Sequence, residues 1–193
     1  LSLVALTAAA QFYTTQERAG AIRFFNRPAE RREIILPTID GYTLYKADFH
    51  MHTIYSDGDV TPRQRVREAW HDGLDIIAAT EHMSIRPVAD KEGQATPESA
   101  KLKRSKAATK AVESATKIAD DFGLLVIPGV ELTGDAKTQG HFNALFTTDN
   151  SVLYDYDAMQ AIRNARQQGA LIMHNHPGWR HSTLEMTDFE KAT

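Results

Sequence analysis

The chain has 193 residues, 42% of them hydrophobic and 24% charged, a balance that supports one globular domain with a real core and argues against a disordered tract. A net charge of −3 offers no broad basic field, so long nucleic acid held through its phosphates is not expected as a partner. Cysteine is absent, which removes disulfides, thiolate zinc sites and cysteine nucleophiles together and leaves any metal chemistry to nitrogen and oxygen ligands.

Residues 1–10, "LSLVALTAAA", are apolar and end in small side chains, which reads as the tail of a signal peptide cut after Ala10 and hence as a secreted or periplasmic protein. Ten residues are too few to span a bilayer, and no other stretch approaches that length. Residues 11–45 read as an N-terminal extension with a strand, and 46–193 as the main domain. "REIILPTIDGYTLYKADFH" suggests two strands around a turn at Asp40 and Gly41. Alternate residues of a strand project to one side, so the second strand would deliver His50 and His52 together.

"TPRQRVREAWHDG" predicts a short amphipathic helix, with Thr61 as N-cap, Pro62 in the first turn, Gly73 past the end, and Val66, Ala69 and Trp70 on one face. "LDIIAATEH" follows as a buried strand. Then comes a long helix from Thr96-Pro97 to Gly123, with Ala108, Ala111, Val112, Ala115, Ile118 and Ala119 at helical spacing. Its lysines and arginine, Lys101, Lys103, Arg104, Lys106 and Lys110, read as a solvated face. "LLVIPGVELT" and "HFNALFTT" are strands, "YDAMQAIRNARQQG" a helix, and "ALIMHNHPG" a last strand. Strands and helices largely alternate, so the fold class is α/β, with a barrel preferred to an open sheet.

Possible metal ligands recur at the strand ends: His50 and His52, Glu81 and His82, Glu131, His174 and His176, with His141 at the start of its strand. In α/β barrels such ends converge on one cup, so residues far apart in sequence can meet there. Imidazole with carboxylate suits zinc, manganese or iron, and Glu131 could bridge two ions. Such ions can acidify a bound water and hold phosphate oxygens. His71 and His181 have no comparable placement.

The motifs "HMHTIYSDG" (50–58), "TEH" (80–82), "PGVEL" (128–132), "GHFNALF" (140–146) and "NHPGW" (175–179), in that order, resemble those of the PHP family, named for its polymerase and histidinol-phosphatase members. The resemblance covers roughly residues 46–181. It implies a distorted seven-stranded, TIM-barrel-like β/α barrel with two to three divalent ions (zinc, manganese or iron) at the strand C-termini. His50, His52 and Glu131 would hold one ion, and Glu131 would bridge to a second held by His141 and His176. Asp57 and His82 would serve a third, and His174, on the same strand face as His176, would stand behind the ligands.

The chain departs from the family twice. Glu81-His82 stands where many members have Asp-His, and the late D-x-H motif has no match after Pro177, so the barrel is read as truncated before its last strands. The implied function is hydrolysis of phosphate mono- or diesters by a metal-activated water on a small phosphorylated substrate, a nucleotide or sugar phosphate. Arg180 is a candidate phosphate clamp, because a guanidinium matches phosphate oxygens in pairs. The alternatives are an amidohydrolase-like metal hydrolase on a non-phosphate substrate and a non-catalytic metal-containing binding module. Oligomeric state is not legible.

Overall fold

The structure is a computed structural model that describes residues 30–83, 88–89, 95–133, 140–154 and 157–177. The proposed signal-peptide remnant, Arg180 and His181 lie outside the described residues. In chain order the elements are β1 (Ala47–Met51), α1 (Pro62–His71), β2 (Ile76–His82), β3 (Val88–Ala89), β4 (Ala95–Thr96), α2 (Pro97–Ala119), β5 (Leu125–Thr133), β6 (His141–Leu145), α3 (Ala158–Gln167) and β7 (Leu171–Asn175).

The capping residues act as their chemistry dictates. Thr61 accepts from the Gln64 amide while the Gln64 side chain accepts from the Thr61 amide, a reciprocal capping box that starts α1. Asp157 caps α3 through the Met159 amide.

Five strands form one sheet in the order β1-β2-β5-β6-β7, while β3 and β4 pair only with each other. β1, β2 and β5 run parallel; β6 is antiparallel to both β5 and β7. The two successive strands expected from the sequence, β5 and β6, therefore form an antiparallel pair, and the reversal puts the first residue of β6, His141, at the end of the sheet where the other strands finish.

The sheet is strongly curled. On a flat sheet β1 and β6, three spacings apart, would be separated by roughly 14 Å. Instead Asn143 Nδ2 donates to the Phe49 carbonyl at 2.6 Å. This is part of a barrel wall: among the described residues the sheet has five strands where the family resemblance implied seven, and β1 does not pair with β7.

The two faces of the curl differ. Outside, Ile77, Val126 and Met51 pack with Val66 and Ala69 of α1 and with Ala115 and Ala119 of α2. Val130, Leu132, Phe142 and Ala144 pack on Ala108 of α2 and on Ala161, Ile162 and Ala165 of α3. Inside, Ala78, Ile127 and Leu145 meet Phe49 and Ile76 toward the N-terminal ends of the parallel strands. The same inner face ends in His82 beside its pair partner Glu131. Apolar burial at one end of the cup thus supports a polar cluster at the other.

The hairpin expected before β1 reduces to a turn. Asp40 and Gly41 both have positive φ (50° and 80°), and Ile39 and Tyr42 exchange backbone hydrogen bonds, but pairing stops at that one bridge. Pro37 has no N–H to extend a ladder on that side.

Candidate metal centre

Glu131 stands at the middle of the polar end of the cup, with no exposed surface. Its Oε1 lies 3.2 Å from His50 Nε2, 3.1 Å from His141 Nδ1 and 3.6 Å from His176 Nε2. Its Oε2 lies 3.2 Å from His52 Nε2 and 2.8 Å from His82 Nδ1. Five imidazoles from four strands and their following residues thus surround one buried carboxylate. Asp57, 65% exposed, sits at the rim with Oδ2 at 3.2 Å from His82 Nε2 and Oδ1 at 3.8 Å from His52 Nδ1. All seven residues singled out as ligands from the sequence come together.

Two of the strands need backbone irregularities to do this. Along β1 the register shifts between Asp48, opposite Ile77, and Met51, opposite Ala79, so β1 carries one extra residue, a β-bulge. Ile77 and Met51 belong to the outer core, so unbroken alternation from Asp48 would have sent His50 and His52 outward. The bulge reverses the parity and turns both inward. Asp48 Oδ1 accepts from the His50 amide, and Thr80 Oγ1 accepts from the Met51 amide, which holds the bulge in place.

At the other edge, Phe142 and His174 are paired and stacked (4.7 Å) on the outer face. The expectation that His174 shares a face with His176 is therefore corrected. His176 has a positive φ of 28°, an unusual conformation for a side-chain-bearing residue. That twist brings its ring 5.7 Å from His50 and 5.0 Å from His141.

The loop after β1 is equally constrained. A Cβ on Gly58 would lie 2.6 Å from the His52 carbonyl carbon and oxygen, so only glycine lets the chain fold back here. Arg65 of α1 donates to the same carbonyl through Nε (3.3 Å) and Nη2 (3.0 Å), fixing His52 from behind.

Sequence reasoning missed a second layer. Asn175 Nδ2 donates to Glu131 Oε1 at 2.8 Å and to Asn143 Oδ1 at 2.7 Å, and Asn143 continues to Phe49. Both asparagines are buried. Each interrupts an apolar strand pattern, and a polar side chain inside such a run is the signal that could have exposed them.

Burial alone would raise the pKa of Glu131, but the imidazoles of His141, His50, His52 and His82 crowded around it outweigh that and hold the carboxyl far below the usual range. Burial pulls His82 down, whereas Glu131 and Asp57 pull it up and prevail. His176 is lowered by burial and by His141.

The residues fit metal ions on a direct observation. Despite two imidazole nitrogens close by, the buried Glu131 Oε2 has no hydrogen-bond partner, and a buried anion left so is costly unless a cation completes it. His50 Nε2 and His52 Nε2 lie 3.0 Å apart beside the same carboxylate, so both rings present a nitrogen to the cluster. Three sets of ligand atoms are compact enough for an ion: His50, Glu131 and His176; His52, Asp57 and His82; and His82, Glu131 and His141. This grouping differs from the one implied by the resemblance, because the curl sets His176 beside His50 and the stacked rings of His52 and His82 (4.4 Å) both reach toward Asp57.

The PHP domain pattern matches residues 48–185. Among solved structures, the chain is similar to a two-domain protein from Bacteroides vulgatus containing a predicted PHP-like metal-dependent phosphoesterase. The two share 38% identity and a TM-score of 0.65 over 81% of this chain and 42% of that one. This chain thus spans less than half of that relative. A protein from Bifidobacterium adolescentis, whose metal-dependent phosphoesterase activity is likewise a prediction, has the same fold at 14% identity, with a TM-score of 0.54 over 76% of this chain and 73% of that one. No curated protein matches the chain significantly.

Proposed function

The chain belongs to the PHP domain family, and from that premise we propose that it hydrolyses phosphate mono- or diesters with two to three divalent ions held around Glu131. The observation that carries this reading is the buried Glu131 carboxylate, ringed by five imidazoles and with one oxygen lacking a hydrogen bond. His50, His52, Asp57, His82, Glu131, His141 and His176 would hold the ions, and zinc, manganese and iron all suit this donor set. Bound there, such ions supply Lewis acidity toward ester oxygens and a lowered pKa for water.

The protein's own part is positioning. Asn175 and Asn143 orient Glu131, Arg65 and Gly58 set the His52 backbone, and the apolar floor of Ala78, Ile127 and Leu145 keeps the base of the cup dry. A small phosphorylated substrate is the reading on sequence grounds. Arg180 as a phosphate clamp and an exported location belong to the same proposal, on sequence grounds.

The test is a substrate panel on the protein reconstituted with zinc, manganese or iron. Release of nitrophenol from bis(p-nitrophenyl) phosphate or p-nitrophenyl phosphate is expected, with no nitrophenol from p-nitrophenyl acetate and no nitroaniline from a p-nitroanilide. Cleavage of the acetate or anilide alone would favour the amidohydrolase-like alternative. No turnover by an ion-loaded protein would favour a non-catalytic module.

A further inference from the structure

Glu81 is fully buried but stands apart from the cluster around Glu131. Consecutive strand residues project to opposite faces. His82 shares the inner face with Glu131, whereas Glu81 pairs with Val130 of the outer core. Its carboxylate is taken up by the loop that leaves β1. Oε1 accepts from Thr53 Oγ1 at 2.6 Å and from the Thr53 amide at 3.0 Å, and Oε2 accepts from the Ser56 hydroxyl.

Those donors lie on the loop that carries Asp57, and Ser56 Oγ is also 3.4 Å from His52 Nδ1, the ring edge nearest Asp57. Glu81 therefore reaches every member of one candidate ion group: His82 is its chain neighbour, Asp57 rides on the loop it anchors, and His52 adjoins the serine it binds. Asp57 is well exposed and would otherwise depend on a short loop for its place. We propose that Glu81 is the positioning residue for the ion held by His52, Asp57 and His82, acting through Thr53 and Ser56 and not as a ligand itself.

This inference rests on the metal-centre reading, and the experiment separates the two. Metal-free wild type, Glu81→Gln, Ser56→Ala, Asp57→Ala and the Glu81→Gln/Asp57→Ala pair are titrated with Mn(II) alone, and ions per chain and their affinities are read by calorimetry and elemental mass spectrometry. Glu81→Gln should weaken one ion position by about 10–100-fold, the usual cost of losing a residue that orients a ligand, and leave the others as in wild type. Ser56→Ala should weaken the same position, and it decides the matter if Glu81→Gln does not fold. The pair should lose no more at that position than Asp57→Ala alone. Wild-type affinities in both Glu81→Gln and Ser56→Ala, or equal weakening at every position, would overturn the proposal. Wild type that binds no Mn(II) would overturn the metal centre, and this proposal with it.

Discussion

Two carboxylates mark the two ends of the curled sheet, and each is surrounded by nitrogen donors of a different kind. At the end where the parallel strands begin, Asp75 accepts from Arg31 Nη2 at 2.6 Å and from the Lys46 amide at 2.9 Å, with the Lys46 ammonium at 3.1 Å. Arg31 also binds the carbonyls of Gly73 and Leu74, so the ion pair ties the N-terminal segment to the loop before β2. At the opposite end Glu131 meets five imidazoles. Arginine and lysine are permanent cations, so Asp75 is neutralised by the chain itself. Imidazole carries no permanent charge, so Glu131 is neutralised only by protons taken up or by metal ions. The first arrangement serves the fold; the second is built to receive a cation.

Replacing each carboxylate in turn should separate these roles. Glu131→Gln keeps the volume and removes the central charge, and it should abolish ion uptake and hydrolysis while the protein stays folded, as read by elemental analysis and circular dichroism. Asn175→Ala should weaken ion affinity by about 10–100-fold, because it frees the Glu131 carboxylate that it now orients; calorimetric titration checks this.

Asp75→Asn should do the reverse, costing about 1–3 kcal/mol of stability with the ion count unchanged. Burial alone would raise the Asp75 pKa, but the Lys46 and Arg31 contacts prevail and lower it. A depressed carboxyl stabilises the fold above its unfolded value of about 3.9 and loses that contribution as pH falls through the folded value. Urea unfolding of wild type and Asp75→Asn should therefore differ most at neutral pH and converge in acid. The smallest effect is expected from His174→Asn, whose ring packs on Phe142 outside the cup; its ion affinities should match wild type.

The elements were legible because their signals are local. Thr61, Pro62 and Gln64 specify the start of α1 by themselves, and the alanine spacing of α2 fixes its buried face. The ligand set was legible because imidazoles and acids cluster at strand ends in order. What alternation could not reveal were its own interruptions. The bulge that turns His50 and His52 inward depends on Thr80 of the neighbouring strand, and the positive φ that separates His176 from His174 has no signature in the residues beside it. The Asn143–Phe49 link exists only because the sheet curls enough for β1 to meet β6, a property of the whole wall and of no single segment.

The most direct measurement is the number of divalent ions retained per chain by wild type and by Glu131→Gln, each stripped and then reconstituted with zinc, manganese or iron under identical conditions. The account expects two to three ions in wild type and none in the variant. Wild type without ions, or a variant that keeps its full complement, would contradict the claim that this end of the sheet is a metal centre organised by Glu131.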